Sequence, residues 1–281
     1  MKFSISPIIF ITALFVFQIT QAQEDIKKEK FTSHNKGKFF FFWGGNRESF
    51  SKSDITFKGE NYDFTLNNVA ADDKPKGWHI DYVNPSRMTI PQTNFRMGYF
   101  ISDKYNISIG VDHMKYVLRQ NVAADFTGYY PNQGTFGETL PNNQVLLTED
   151  FLTFEHTDGL NYIHTEFSRM DDFSNVLKIK NTDKIQINLT EGIGAGIMLP
   201  KTNTKLIGKE RHDNFHISGF GISAKVGINI TFFKYFFIQS ELKAGFINMN
   251  NIRTTNDVND KAQQNILFLQ RIIAFGGIFK I

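Results

Sequence analysis

Eight stretches of this chain alternate apolar and polar residues, and long polar connections take turns with short ones between them. The stretches are 38–49, 93–101, 105–118, 160–169, 184–199, 215–230, 235–249 and 265–281. Each meets the ~9–11 residues that a tilted strand needs to cross a bilayer. Successive side chains of a strand point to opposite faces, so strict alternation makes one face apolar and the other polar. In 215–230, Phe220, Ile222, Ala224, Val226, Ile228 and Ile230 share one face, while Ser223, Lys225 and Asn229 share the other with Gly219, Gly221 and Gly227. In 235–249, Phe236, Ile238, Leu242, Ala244 and Phe246 alternate with Gln239, Glu241, Lys243 and Gly245. A charge on a lipid-facing position at the midplane costs ~2–4 kcal/mol, so the apolar set must face lipid and the polar set inward. The expected fold is all-β: a transmembrane, antiparallel, up-and-down barrel of about eight strands.

The connections fix the orientation. Segments 51–92, 120–159, 200–214 and 250–264 are long and polar, while 102–104 and 231–234 are tight. Outer-membrane barrels have short periplasmic turns and longer outside loops, so an even strand number puts both termini in the periplasm. Segment 170–183 is too long for a tidy turn, and its core VLKIK (176–180) predicts strands extended below the membrane. The first long loop contains SDITFKGENYDFTLNNV, which reads as a hairpin above the membrane plane. Aromatic residues at Tyr99, Tyr105, Phe232, Phe233, Tyr235 and Phe279 fall where an interface is expected.

The first residues, MKFSISPIIFITALFVFQITQA, read as a secretory signal peptide. Lys2 supplies the positive charge, 8–19 the apolar region, and Thr20-Gln21-Ala22 the small-x-small cleavage pattern. The apolar run falls short of the ~20 residues of a spanning helix. The chain thus divides into a cleaved signal at 1–22, a periplasmic lead-in at 23–37 and a barrel at 38–281. Cysteine is absent, which removes disulfides, thiolate metal sites and cysteine nucleophiles. Lys and Arg number 31 against 28 Asp and Glu, a formal charge of +3, or +2 without Lys2, so no nucleic-acid surface is indicated. Mean hydropathy is negative although Phe alone numbers 30, as expected when apolar residues occupy every second position.

Strand parity, loop asymmetry and the final strand, which ends Phe275-Gly276-Gly277-Ile278-Phe279-Lys280-Ile281, carry a family resemblance. The chain resembles the small outer-membrane barrel superfamily of Gram-negative bacteria, which includes OmpA/OmpX-type barrels and lipid A-modifying barrel enzymes. The final strand looks like the signal read by barrel assembly machinery, although it closes on Ile281 rather than Phe. The resemblance implies an outer-membrane location, contact with lipid and lipopolysaccharide, and assembly by that machinery. Docking into a larger envelope complex is a further expectation.

Several residue groups are candidates for function. Arg96, Asp112, His164, Glu166, Lys225, Glu241 and Lys243 project inward and are expected to neutralise one another, because a buried charge survives only when paired. His164 and Glu166, at i and i+2, share a face and suit a metal in type, but no third ligand is evident, and neither metal nor cofactor is assigned. His216-Ile217-Ser218 resembles the His-x-Ser pair of barrel-type lipid A deacylases, which implies Ser218 as nucleophile and His216 as base. Gly219 follows where that family has Asn, and no acid is identified. In 112–116, Asp112 faces in while His113 and Lys115 face out near the outer headgroups. Lys201, Lys205, Lys209, Arg211 and His212 form a basic cluster in the third long loop, a contact for lipopolysaccharide phosphate or an acidic partner. Glu191 and Arg271 break parity toward lipid; a bulge beside each, or strand limits displaced by one, would turn them inward. The leading expectation is a non-enzymatic barrel with a polar, plugged lumen and loops that bind or dock. A lipid A acyl hydrolase is the alternative, and a narrow porin the second.

Overall fold

The computed structural model describes residues 34–77, 79–80, 91–209 and 212–280. The expected signal peptide, most of the lead-in, Arg211 and Ile281 lie outside the described residues. Among those described, eight strands form the wall: β1 (Lys38–Phe50), β2 (Thr93–Phe100), β3 (Tyr105–Met114), β4 (Leu160–Asp172), β5 (Ile185–Pro200), β6 (Gly219–Phe232), β7 (Phe236–Arg253) and β8 (Lys261–Lys280). Each pairs antiparallel with the next, and β1 also pairs with β8 from Lys38 opposite Lys280 to Phe50 opposite Phe268. The ring therefore closes, which removes the free edge that an open sheet would present.

The register sets the barrel's bore. Paired residues lead from Phe40 through Gly98, Ser108, Glu166, Gly194, Ser223, Gly245 and Phe268 back to β1 at Phe50, ten positions further along. Eight strands with such a stagger tilt by ~35–45° and leave an interior just wide enough for side chains. Close strand approach explains one of the interior glycines: a Cβ on Gly196 would lie 2.0 Å from the Ile163 carbonyl oxygen and 2.6 Å from the His164 Cα. Two tight turns have clear local causes. The Ser102 hydroxyl accepts from the N–H groups of Tyr105 (2.9 Å) and Lys104 (3.3 Å). At the β6–β7 turn, Phe233 and Lys234 both adopt left-handed backbone, with φ of 52° and 70°.

The outward face is apolar and bare. Ile193 is 65% exposed, Ile273 67% and Phe236 67%, in company with Ile109, Ile228 and Phe275. A belt of large apolar side chains this open is a lipid-facing surface rather than a chance scatter. Phe39 meets Tyr99 at 4.9 Å and Phe279 at 6.4 Å between ring centroids, an aromatic cluster at the end where both described chain ends lie. The interior is layered. Phe42, Phe100, Met170, Phe237, Ile272 and Ile278 form an apolar floor, polar and charged side chains fill the middle, and Tyr162, Met198, Ile247, Ile266 and Phe268 begin an apolar roof.

That roof continues into a cap built by the long loops. The expected hairpin forms from Ser53–Gly59 and Tyr62–Val69 and is paired onto the upper end of β8. Ala123–Tyr129 and Gln144–Leu146 extend this sheet. A second sheet of Asn203–Leu206, Leu152–Glu155, Val117–Leu118 and Ala71–Asp72 supplies further strands. Ile55, Phe57, Phe64, Leu66, Leu152 and Phe154 are almost wholly buried in one core with the barrel's roof.

Four expectations need correction. Segment 176–180 forms turns and not strands: Leu177 N–H bonds to the Phe173 carbonyl, Ile179 N–H to that of Ser174, and Lys178 takes φ 58°. Residues 117–118 leave the wall for the second cap sheet. Residues 215–218 precede β6 rather than opening it. No bulge turns Glu191 or Arg271 inward; among the described residues the wall's register shift lies between Met249 and Ile252. Glu191 instead faces Arg169 directly across the β4–β5 pair, and Arg169 also binds Asp171 at 2.6 Å.

Candidate functional site

The middle layer gathers all seven inward candidates. Each stands on a different position of the wall, and parity alone turns it inward; the bore then brings the side chains together. Arg96 Nε lies 3.0 Å from Glu166 and its Nη1 2.9 Å from Glu241. Lys225 Nζ bridges the same two carboxylates at 2.7 and 3.0 Å. Lys243 Nζ contacts Asp112 and lies 2.8 Å from Glu166. His164 sits between Asp112, 3.2 Å from Nε2, and Glu166, 3.5 Å from Nδ1. These side chains are at most 5% exposed. Three cations face three carboxylates, so the layer is electrically balanced with His164 neutral. Amides extend it in both directions: Asn94 donates to Asp112 at 2.6 Å, and Gln239 to Glu241 at 2.5 Å. His164 and Glu166 thus serve ion pairs, and among the described residues no group of three His, Cys, Asp or Glu is arranged around a metal.

The floor leaves a cavity of ~30 Å³ beneath Arg96 and Lys225, lined by Phe40, Phe100, Ser168 and Gln239. A space of that size holds a water or two. Toward the cap, Tyr116 is fully buried with its hydroxyl 2.6 Å from Gln264 Nε2. Burial pushes that phenol up to about 12. His156 is wholly buried against Phe154 and Tyr116, with Nδ1 3.0 Å from the Thr202 hydroxyl. Burial pushes its imidazole down to about 3.

The His216–Ser218 pair does not assemble as a nucleophile and base. Ser218 is 1% exposed, and its hydroxyl donates to the main-chain carbonyl of His216 at 3.2 Å. The His216 ring faces the Asn251 amide, with Nε2 2.9 Å from Nδ2. Burial lowers the His216 pKa, and Arg253, His212 and Lys261 lower it further; none of these neighbours is the anion that an orienting acid would be. The cause is the strand start at Gly219, which takes both residues out of the lipid-facing alternation.

Two cations of the basic loop are paired with carboxylates. Lys201 lies 3.1 Å from Asp158 and 3.4 Å from Asp213, and Lys209 lies 2.6 Å from Asp260 and 4.9 Å from the Tyr62 ring centre. Lys205 is exposed, His212 is buried, and Arg211 lies outside the described residues. His113 Nδ1 pairs with Asn161 Oδ1 at 2.7 Å, so it is tied to the wall.

Sequence reading missed one group. Glu48, Asp73, Gln92 and Gln270 meet where the lumen reaches the cap. The inward parity of Glu48 was available in β1; the arrival of Asp73 from a long loop had no local signal.

No protein-family description and no curated protein matches this sequence. Three solved structures with a similar chain course are OprG of Pseudomonas aeruginosa, Ail of Yersinia pestis bound to the heparin analogue sucrose octasulfate, and the N-terminal β-barrel domain of P. aeruginosa OprF. OprG is 9% identical at a TM-score of 0.39, covering 89% of this chain and 99% of its own. Ail is 7% identical at 0.32, with 87% and 99% covered, and OprF 8% identical at 0.30, with 87% and 98% covered. These figures record a distant likeness of architecture and say nothing about activity.

Proposed function

We propose that this chain is an outer-membrane β-barrel that neither conducts nor catalyses, and that its folded extracellular cap is a docking surface for an envelope partner or lipopolysaccharide. The observation that carries this reading is the cap itself. Loops that only joined strands would not need Phe57, Phe64, Phe151 and Phe154 buried in a common core. Burial of such side chains gives ~1.5–3 kcal/mol each, enough to hold a fixed outer surface on the barrel. Function placed on loops above a rigid scaffold is a common solution. The balanced ion layer and the apolar roof beneath the cap support a closed lumen. The apolar belt supports residence in a membrane, and barrel assembly machinery is the expected route there.

The test is purification from native outer membranes in mild detergent, with and without residues 51–92. A stoichiometric partner, protein or lipopolysaccharide, should accompany the full chain and be lost from the deletion, whose wall should still fold. A deletion that retains the partner, or a wall that fails to form without this loop, would refute the assignment of docking to the cap. Planar-bilayer conductance equal to that of an empty bilayer is the companion result; a stable conductance would favour the porin. No observation favours the acyl hydrolase, because Ser218 and His216 bond elsewhere.

A further inference from the structure

Beneath the cap, the polar interior ends in two neighbouring carboxylates, Glu48 and Asp73, that form no ion pair among the described residues. Glu48 is the last inward charged residue of β1 and is 4% exposed. Gln270, from β8, donates to Glu48 Oε1 at 3.0 Å. Gln92 donates from one Nε2 to both Glu48 Oε2 and Asp73 Oδ1, and the Glu48 N–H reaches Asp73 Oδ2 at 3.1 Å. Two carboxylates therefore share one amide. Among the described residues neither is ion-paired with a Lys, Arg or His, whereas the layer below matches three carboxylates to three cations. Like charges this close both stay ionised only if a positive charge joins them.

A second observation points the same way. Gln92 and Gln270 are wholly buried and aim their amide ends at Glu48, yet the Oε1 of each has no partner. Buried carbonyl oxygens without a donor are rare in folded proteins. A half-turn of each amide exchanges Nε2 for Oε1 and presents oxygen to the group. Oxygen facing carboxylate is repulsive when nothing lies between them, and favourable when a cation does. The donors then become carboxylate and amide oxygens alone, the set preferred by hard cations. Asp73 is half-buried, so one side stays open for water and for entry from outside. Calcium accepts six to eight oxygens in flexible geometry, whereas magnesium demands near-ideal octahedral placement that four ligands from three separate segments do not easily meet.

We propose that Glu48, Asp73, Gln92 and Gln270 form a calcium site at the outer mouth of the lumen. The ion would tie the first long loop, through Asp73, to β1 and β8, and so fasten the cap to the wall. This assignment does not depend on the docking reading.

The experiment is a calcium titration of the folded full-length chain in detergent by calorimetry, with magnesium in parallel. The variants are Asp73→Asn and Glu48→Gln, and circular dichroism verifies the wall. The expected result is one calcium per chain, with a Kd of about 10⁻⁴–10⁻³ M, in the range of extracellular sites built from few charges. Magnesium should bind at least about tenfold more weakly, and Asp73→Asn should weaken calcium by at least about tenfold with the wall intact. If Glu48→Gln fails to fold, Asp73→Asn decides alone, because its side chain is half-buried. No saturable calcium binding by the unmodified chain below about 10 mM, or equal affinity in Asp73→Asn, overturns the site and leaves a shared proton between the two carboxylates.

Discussion

Removing Lys243 from the ion layer is the sharpest available test of a closed, dry lumen. Its ammonium is fully buried, contacts Asp112, and lies 2.8 Å from Glu166 and 3.5 Å from His164 Nε2. Lys243→Met fills a similar volume but leaves three carboxylates facing two cations. Glu166 keeps Arg96 and Lys225 at 3.0 and 2.7 Å, so the uncompensated charge falls on Asp112. Breaking a buried pair from one side costs ~3–5 kcal/mol. Asp112→Asn alone strands the lysine in the same way and should cost a similar amount. The double variant restores balance at two against two, and should recover at least ~2 kcal/mol relative to the sum of the single losses. The assay is reversible urea unfolding in detergent followed by tryptophan fluorescence; Trp43 lies on β1 and reports the wall. Single variants within ~0.5 kcal/mol of the unmodified protein, with additive effects, would refute the reasoning. They would show charges screened by water, and therefore an interior open enough to conduct.

Other consequences are independent of that layer. Gly196→Val should prevent wall assembly, because its Cβ would occupy the β4 backbone; folding yield from inclusion bodies reads this directly. Phe64→Ala should cost ~3–5 kcal/mol of cap stability, with protease cleavage in the cap and an intact wall. His156 makes the cap acid-sensitive. Its folded pKa of about 3 lies below the ordinary value of 6.5, so the unfolded cap binds the extra proton. Stability from this residue is whole above pH ~6.5 and falls by ~1.4 kcal/mol per pH unit toward pH 3. Cap proteolysis at pH 7 and pH 5 should differ in the unmodified chain and not in His156→Phe.

Wall and interior were legible in the sequence for one reason: on a strand, side is a matter of odd or even position. Parity placed Arg96, Glu166, Lys225, Glu241 and Lys243 inward, and neutralisation then followed from the small bore. The hairpin at Ile55 and Phe64 was legible on the same ground. What failed was decided by contacts between distant segments. The start of β6 at Gly219 depends on how 212–218 folds over the neighbouring strands, and four residues of error carried Ser218 from the lipid face to a buried bond with a carbonyl. The pairing of Lys201 with Asp158 joins two loops whose approach no local pattern announces. Asp73 beside Glu48 is the same case, and the cap as a whole was read as separate loops because its core is shared among them.

Parity gives the side of the wall but not the height on it, and height explains the two charges that break the pattern. One hydrogen-bonded line runs Arg47, Arg271, Leu242, Val226, Glu191, Arg169, Tyr105 across seven strands. With strands ~4.8 Å apart and tilted ~40°, each step along such a line changes height by ~3 Å, so its six steps descend ~18 Å, about three-quarters of the ~25 Å apolar band. Its lower end is the periplasmic rim, where Glu191 finds Arg169, and Arg169 finds Asp171 and, at 6.0 Å, the Tyr105 ring. Its upper end carries Arg47 and Arg271. Arg271 stands nine residues above Lys280, which at ~2.5 Å of height per tilted residue is ~22 Å of a band ~25 Å tall. A lipid-facing arginine there costs ~0–1 kcal/mol, against ~2–4 at the midplane. Neither charge therefore needs a bulge: one is matched across the strand pair, and the other has climbed to the level of the headgroups.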